Sequence, residues 1–172
     1  MNPANLARWT VVVASLTLVA VATSGCATTP DAADLVSEQA TTGEPVSEAE
    51  AAAALLDYFG AVNKSLETGD TDELAALTGP ECPCRDLVGL IHNRYAEGGE
   101  LVGASFDAEA VTVLGRQAQR AQVRARVSVA RYNIRNADGL MLETRPAQHY
   151  VATYTVELGE ENWRVVDVRQ IR

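Results

Sequence analysis

Residues 121–129 read A-Q-V-R-A-R-V-S-V. Ala121, Val123, Ala125, Val127 and Val129 alternate with Gln122, Arg124, Arg126 and Ser128. Side chains on a strand repeat every two residues, so this stretch reads as a half-buried β-strand with a polar outer face. Phe106 to Leu114 is a second strand candidate just before it. Tyr132 and Ile134 fall on the opposite parity, which predicts a bulge near Ala130–Arg131. Asn136-Ala137-Asp138-Gly139 is a hairpin turn signal. A long strand should follow from Gln148 to Leu158, with Tyr150, Ala152, Tyr154, Val156 and Leu158 on one face. Gly159 to Asn162 turns the chain, and Trp163-Arg164-Val165-Val166-Asp167-Val168 opens a last strand expected to run to the final residue.

Before Gly99 the period is 3.6 instead of 2. Ser47-Glu48-Ala49-Glu50 has the S-x-x-E pattern of a capping box. Leu55, Phe59, Val62 and Leu66 then form one stripe, and Gly69 stops the helix. Asp70 or Thr71 caps a short second helix, D-E-L-A-A-L, ended by Gly79-Pro80. A third helix is expected from about Pro83 to Ala96, with Leu87, Ile91 and Tyr95 as its stripe. The predicted class is therefore α+β: three N-terminal helices packed on a curved antiparallel sheet of about four strands.

The chain has 172 residues, 47% apolar and 22% charged, with a formal net charge of −9. That balance carries no electrostatic footprint for nucleic acid and no polybasic hold on anionic lipid.

The first residues hold one positive side chain, Arg8, and Trp9 to Ala22 are almost wholly apolar. Fourteen such residues fall short of the about 20 that span a bilayer. A short apolar run after a positive residue, ending in small residues, is the layout of an export signal. Thr23-Ser24-Gly25-Cys26 resembles the lipobox of bacterial lipoproteins, with Thr23 where an aliphatic residue is usual. That resemblance implies cleavage before Cys26 and a lipid on its thiol. The expected organisation is a signal peptide over 1–25, a disordered tether over 26–46 and one α+β domain over 47–172. The expected location is the outer face of the cell membrane, with the membrane as a partner through Cys26. The tether is rich in Thr, Ala, Asp, Glu and Pro and shows no apolar period.

The order helix, short helix, helix and then about four long strands resembles the nuclear transport factor 2-like, cystatin-like cone. The closing W-R-V-V-D-V looks like that fold's last strand. More narrowly, the lipobox, the tether, D-Y-F in the first helix, the T-G-D-T turn, the paired cysteines and R-Y-A-E-G-G are similar to an uncharacterised family of actinobacterial lipoproteins. That resemblance implies fold and location and no activity.

Cys82-Pro83-Cys84 is the most unusual local feature. Residues two apart reach disulfide range, and an export route favours the bond. A structural Cys82–Cys84 disulfide is the expectation, and thiol redox chemistry is the alternative. Zinc held by these cysteines with His92 and His149 matches no familiar spacing. Asp57, Asp107 and Tyr154 are residue types that serve general acid–base work, but no spacing ties them together. No catalytic residue, metal or cofactor is assigned. Tyr58, Tyr95, Tyr132 and Tyr154 with Phe59 and Trp163 are of a kind that lines a cone. Arg124, Arg126 and Arg135 form a candidate face for a small anionic ligand or an acidic envelope protein. The functional expectation is an anchored envelope protein with a non-catalytic binding domain, against a small-molecule enzyme of the ketosteroid-isomerase-like type.

Overall fold

A computed structural model describes residues 46–171 of the chain. The signal peptide and tether expectations, including Cys26, lie outside the described residues except for Val46. That residue belongs to the folded part: it is buried, and its amide donates to the Ala118 carbonyl at 3.3 Å.

The helix α1 spans Glu48–Thr68. Its start is the expected capping box. The Glu50 amide donates to Ser47 Oγ at 3.1 Å, and the Ser47 amide donates to the Glu50 carboxylate at 3.0 Å. These bonds satisfy two of the donors that a helix start leaves open. Gly69 ends the helix at φ 77°, a conformation glycine adopts without steric cost. Leu55, Phe59, Val62 and Leu66 are all buried, as their stripe requires. No helix among the described residues is long and apolar enough to cross a membrane.

The short α2, Asp72–Ala76, buries Leu74. The helix α3 covers Arg85–Ala96, so the expected start near Pro83 is two residues early. Three-residue turns lead into it instead: the amides of Arg85, Asp86 and Leu87 donate to the carbonyls of Cys82, Pro83 and Cys84.

Seven strands follow, in two sheets, where about four in one sheet are expected. The larger sheet has the order β2–β3–β6–β7, with β2 Phe106–Gln117, β3 Arg120–Val129, β6 Gln148–Leu158 and β7 Trp163–Ile171. The smaller sheet has the order β1–β4–β5, from Glu100–Val102, Tyr132–Arg135 and Met141–Arg145. The parity change at Ala130–Arg131 is therefore not a bulge. The chain leaves one sheet after Val129 and joins the other at Tyr132. The Ala130 amide crosses to the Ser105 carbonyl at 3.0 Å, which pins the switch.

β3 alternates as its sequence dictates: Ala121, Val123, Ala125 and Val127 are 0–2% exposed, and Gln122, Arg124 and Arg126 face out. The apolar face of the larger sheet packs on α1, so the core lies in the concavity between them. At about 25 cal/mol per Å² of apolar surface removed from water, this layer is the main favourable contribution to the fold.

Candidate functional site

Helix α1 brings Tyr58 and Phe59 into the concavity, and β6 brings Tyr150 and Tyr154 from its inner face. The Phe59 ring meets Tyr58 edge-on at 5.5 Å between centroids and Tyr154 at 5.6 Å. Phe106 and Val168 close the sheet side, and Leu87 and Cys84 close the α3 side. What remains open is a cavity of about 150 Å³. An apolar void of about that size holds one benzene-sized ring.

Burial raises the Tyr58, Tyr150 and Tyr154 hydroxyls above the usual phenol range, and the neighbouring Tyr150 adds to the shift of the other two. All three stay protonated under physiological conditions. They can donate hydrogen bonds but cannot serve as bases. The cavity lining holds no carboxylate and no imidazole among the described residues. The acid–base candidates sit elsewhere. Asp57 and His92 are exposed on the helices, and Asp107 lies on the outer side of β2. His149 Nδ1 is 3.0 Å from Ser128 Oγ on that same outer face.

Cys82 and Cys84 lie at disulfide distance, with Cα atoms 5.1 Å apart. Both are buried, at 3% and 8% exposure. The Cys84 amide donates to Cys82 Sγ at 3.2 Å. Just before them, Gly79 donates to the Val165 carbonyl at 2.8 Å, and Val165 donates to Leu77 at 2.9 Å. The pair thus sits where residues 77–79 cover the free edge of β7. Among the described residues no three His, Cys, Asp or Glu side chains converge as a metal site.

The polar face of the larger sheet carries a wider groove of about 790 Å³. Arg116 from β2, Arg120 from β3, and Arg164 and Arg169 from β7 line it. Arg120 pairs with Glu157 at 2.6 Å and Arg169 with Asp167 at 2.9 Å. Arg124 and Arg126 lie on the same face, opposite Thr153 and Val151 of β6, but beyond the groove. Arg135 is not with them. It belongs to β4 in the smaller sheet and pairs with Glu100 at 3.2 Å, because the chain changes sheets after Val129.

No family model matches the chain. No curated protein matches it either. Solved structures do. The intermembrane space region of the chloroplast protein ARC6 is similar at a TM-score of 0.53 and 10% identity, over 73% of this chain and 97% of that one. A candidate aromatic ring hydroxylase from Novosphingobium aromaticivorans is similar at 0.50 and 14% identity, over 73% and 90%. An uncharacterised protein with a cystatin-like fold from Caulobacter vibrioides gives 0.46 at 14% identity, over 70% and 86%. At these identities the first two likenesses bear on the fold alone, helices on curved antiparallel sheet, which is the class expected from the sequence.

Sequence reading did not single out Arg164 and Arg169 as groove residues. They are five apart, so simple alternation puts them on opposite faces. A register shift between Thr155 and Val156 opposite β7 brings both to the polar face. Val166, the extra residue in W-R-V-V-D-V, is the only sequence trace of it.

Proposed function

We propose that this chain is a membrane-anchored envelope protein whose domain binds a ligand or partner and does not catalyse. The observation that carries the binding half is the interior of the cone. Its own Leu, Val and Tyr side chains reduce it to about 150 Å³, lined by neutral phenols and apolar groups with no base. The anchoring half rests on the short apolar run and T-S-G-C ending at Cys26, where two or more acyl chains would hold firmly. The narrower kinship with a nuclear transport factor 2-like, lipobox-bearing family is part of the same proposal.

Native mass spectrometry of the protein extracted from a host envelope in mild detergent tests both halves. The expected species starts at Cys26 and carries a diacylglycerol. A chain that keeps residues 1–25 and no lipid defeats the anchor. A Cys26→Ser variant should move from the membrane to the soluble fraction.

The second reading, a small-molecule enzyme, draws on one observation: three phenol donors share one cavity. Turnover of a bound compound, lost in Tyr154→Phe while the fold persists, would establish it over the first reading. Thiol redox chemistry is the weakest reading, because both sulfurs are shielded from a dithiol reagent.

A further inference from the structure

We infer that the groove on the polar face of the larger sheet is a binding site for an oxyanion, a phosphate or carboxylate group of a small molecule. It is separate from the cone and does not depend on the anchor. Its size, about 790 Å³, lies within the range of small-molecule sites. The protein as a whole has a net charge of −9, yet four guanidiniums converge here from three strands. Two are held in place. Glu157 fixes Arg120 across the β3–β6 pair, and Asp167 fixes Arg169 along β7. Arg116 donates to the Val46 carbonyl at 3.1 Å. Arg164 has no ion-pair or hydrogen-bond partner for its side chain among the described residues, and its Cζ lies 4.0 Å from where a Cβ on Gly159 would stand. An immobilised guanidinium beside an uncommitted one is an arrangement that grips an oxyanion through forked N–H donors.

The groove also has room reserved by a glycine. A Cβ on Gly115, on the same lining, would meet nothing within 4 Å. Strand positions that face open solvent usually carry a side chain, since glycine weakens a strand. Here its absence leaves the floor between Gln122 and Arg116 clear.

The test is calorimetric titration of the full chain in detergent with pyrophosphate in one arm and citrate in the other, at low salt. Saturable one-to-one binding is expected in at least one arm, and the arm that binds identifies the phosphate or the carboxylate source. Arg164→Gln should weaken it at least tenfold. Gly115→Val should abolish it by filling the floor, with the melting temperature of each variant close to that of the parent. No saturable heat in either arm overturns the inference. So does binding that neither variant changes. Both outcomes leave the Cys26 lipid and the cone cavity untouched, so this inference fails separately from the proposed function.

Discussion

The Gly79 amide donates to the Val165 carbonyl at 2.8 Å, and that bond puts a short parallel segment along the outer edge of β7. An open strand edge invites pairing with another chain. Leu77 to Gly79 cover it. Only glycine suits the contact, because a Cβ at position 79 would come 3.0 Å from Val166 Cγ1 and 3.1 Å from its Cα. Gly79→Val should therefore cost about 1–3 kcal/mol in urea unfolding. An unchanged midpoint would show that the segment can lift off the edge freely.

Gly69 carries two constraints at once. Its φ is 77°, and an added Cβ would run into the Tyr95 ring, whose hydroxyl donates to the Leu66 carbonyl. Gly69→Ala should lose about 1–3 kcal/mol. Tyr95→Phe, which keeps the ring and drops the bond, should lose about 1 kcal/mol. Equal losses in the two variants would refute the steric part of this account.

The capping box should show itself in a pH series. Hydrogen bonds from the Ser47 side chain and backbone hold the Glu50 carboxyl below its usual range. A depressed carboxyl contributes stability above its unfolded pKa, and that contribution fades as pH falls through the folded value. Ser47→Ala should cost about 1 kcal/mol at neutral pH. The gap to the parent should narrow on acidification. A gap independent of pH would mean the Glu50 arm adds nothing.

At the alkaline end the sign reverses. Burial raises the Tyr58 and Tyr154 phenols above the ordinary value of 10.0. A raised acid favours the folded state below its unfolded pKa. That advantage is lost as pH climbs from about 10 toward the folded value, since only the unfolded chain ionises there. Stability should fall with pH in that window, less steeply in Tyr154→Phe. Absorbance of tyrosinate should grow only together with unfolding for these residues.

Two alanines occupy left-handed backbone, Ala110 at φ 51° and Ala118 at φ 49°. A left-handed residue with a Cβ costs roughly 1–2 kcal/mol. Ala118→Gly should raise the thermal midpoint of a chain whose Val46 amide still reaches the residue-118 carbonyl. A lower midpoint would show that unfolded-state freedom outweighs the relief.

Much of this was legible in residue order because local and global preferences agree. S-x-x-E fixes the start of α1, and the strict alternation of 121–129 fixes the faces of β3. The Tyr150 to Leu158 face follows the same rule. What escaped were elements whose signal is short or broken. β1 has three residues, and β5 follows Leu140, Met141 and Leu142, which are 57–64% exposed and do not alternate. The change of sheet at Ala130 looks like a bulge in one dimension, because both reverse the parity. The groove was hidden for a similar reason: one extra residue at Val166 sets which face Arg169 joins. The aromatic residues of the cone were visible as types, but their meeting point depends on α1 crossing β6, and no local pattern encodes that.

The larger sheet is made of two local hairpins, β2–β3 and β6–β7, joined through β3 and β6. Hairpins close short loops and form early, and contacts between distant segments form late. Helix α1, at the other end of the domain, has nothing to lie on until that four-stranded meander exists. Leu55→Ala should then mainly speed unfolding, and Val123→Ala should mainly slow folding. For a chain that crosses a membrane with its N-terminus leading, this means a waiting period in which the first helix to emerge stands alone, its apolar stripe uncovered until the last strands arrive.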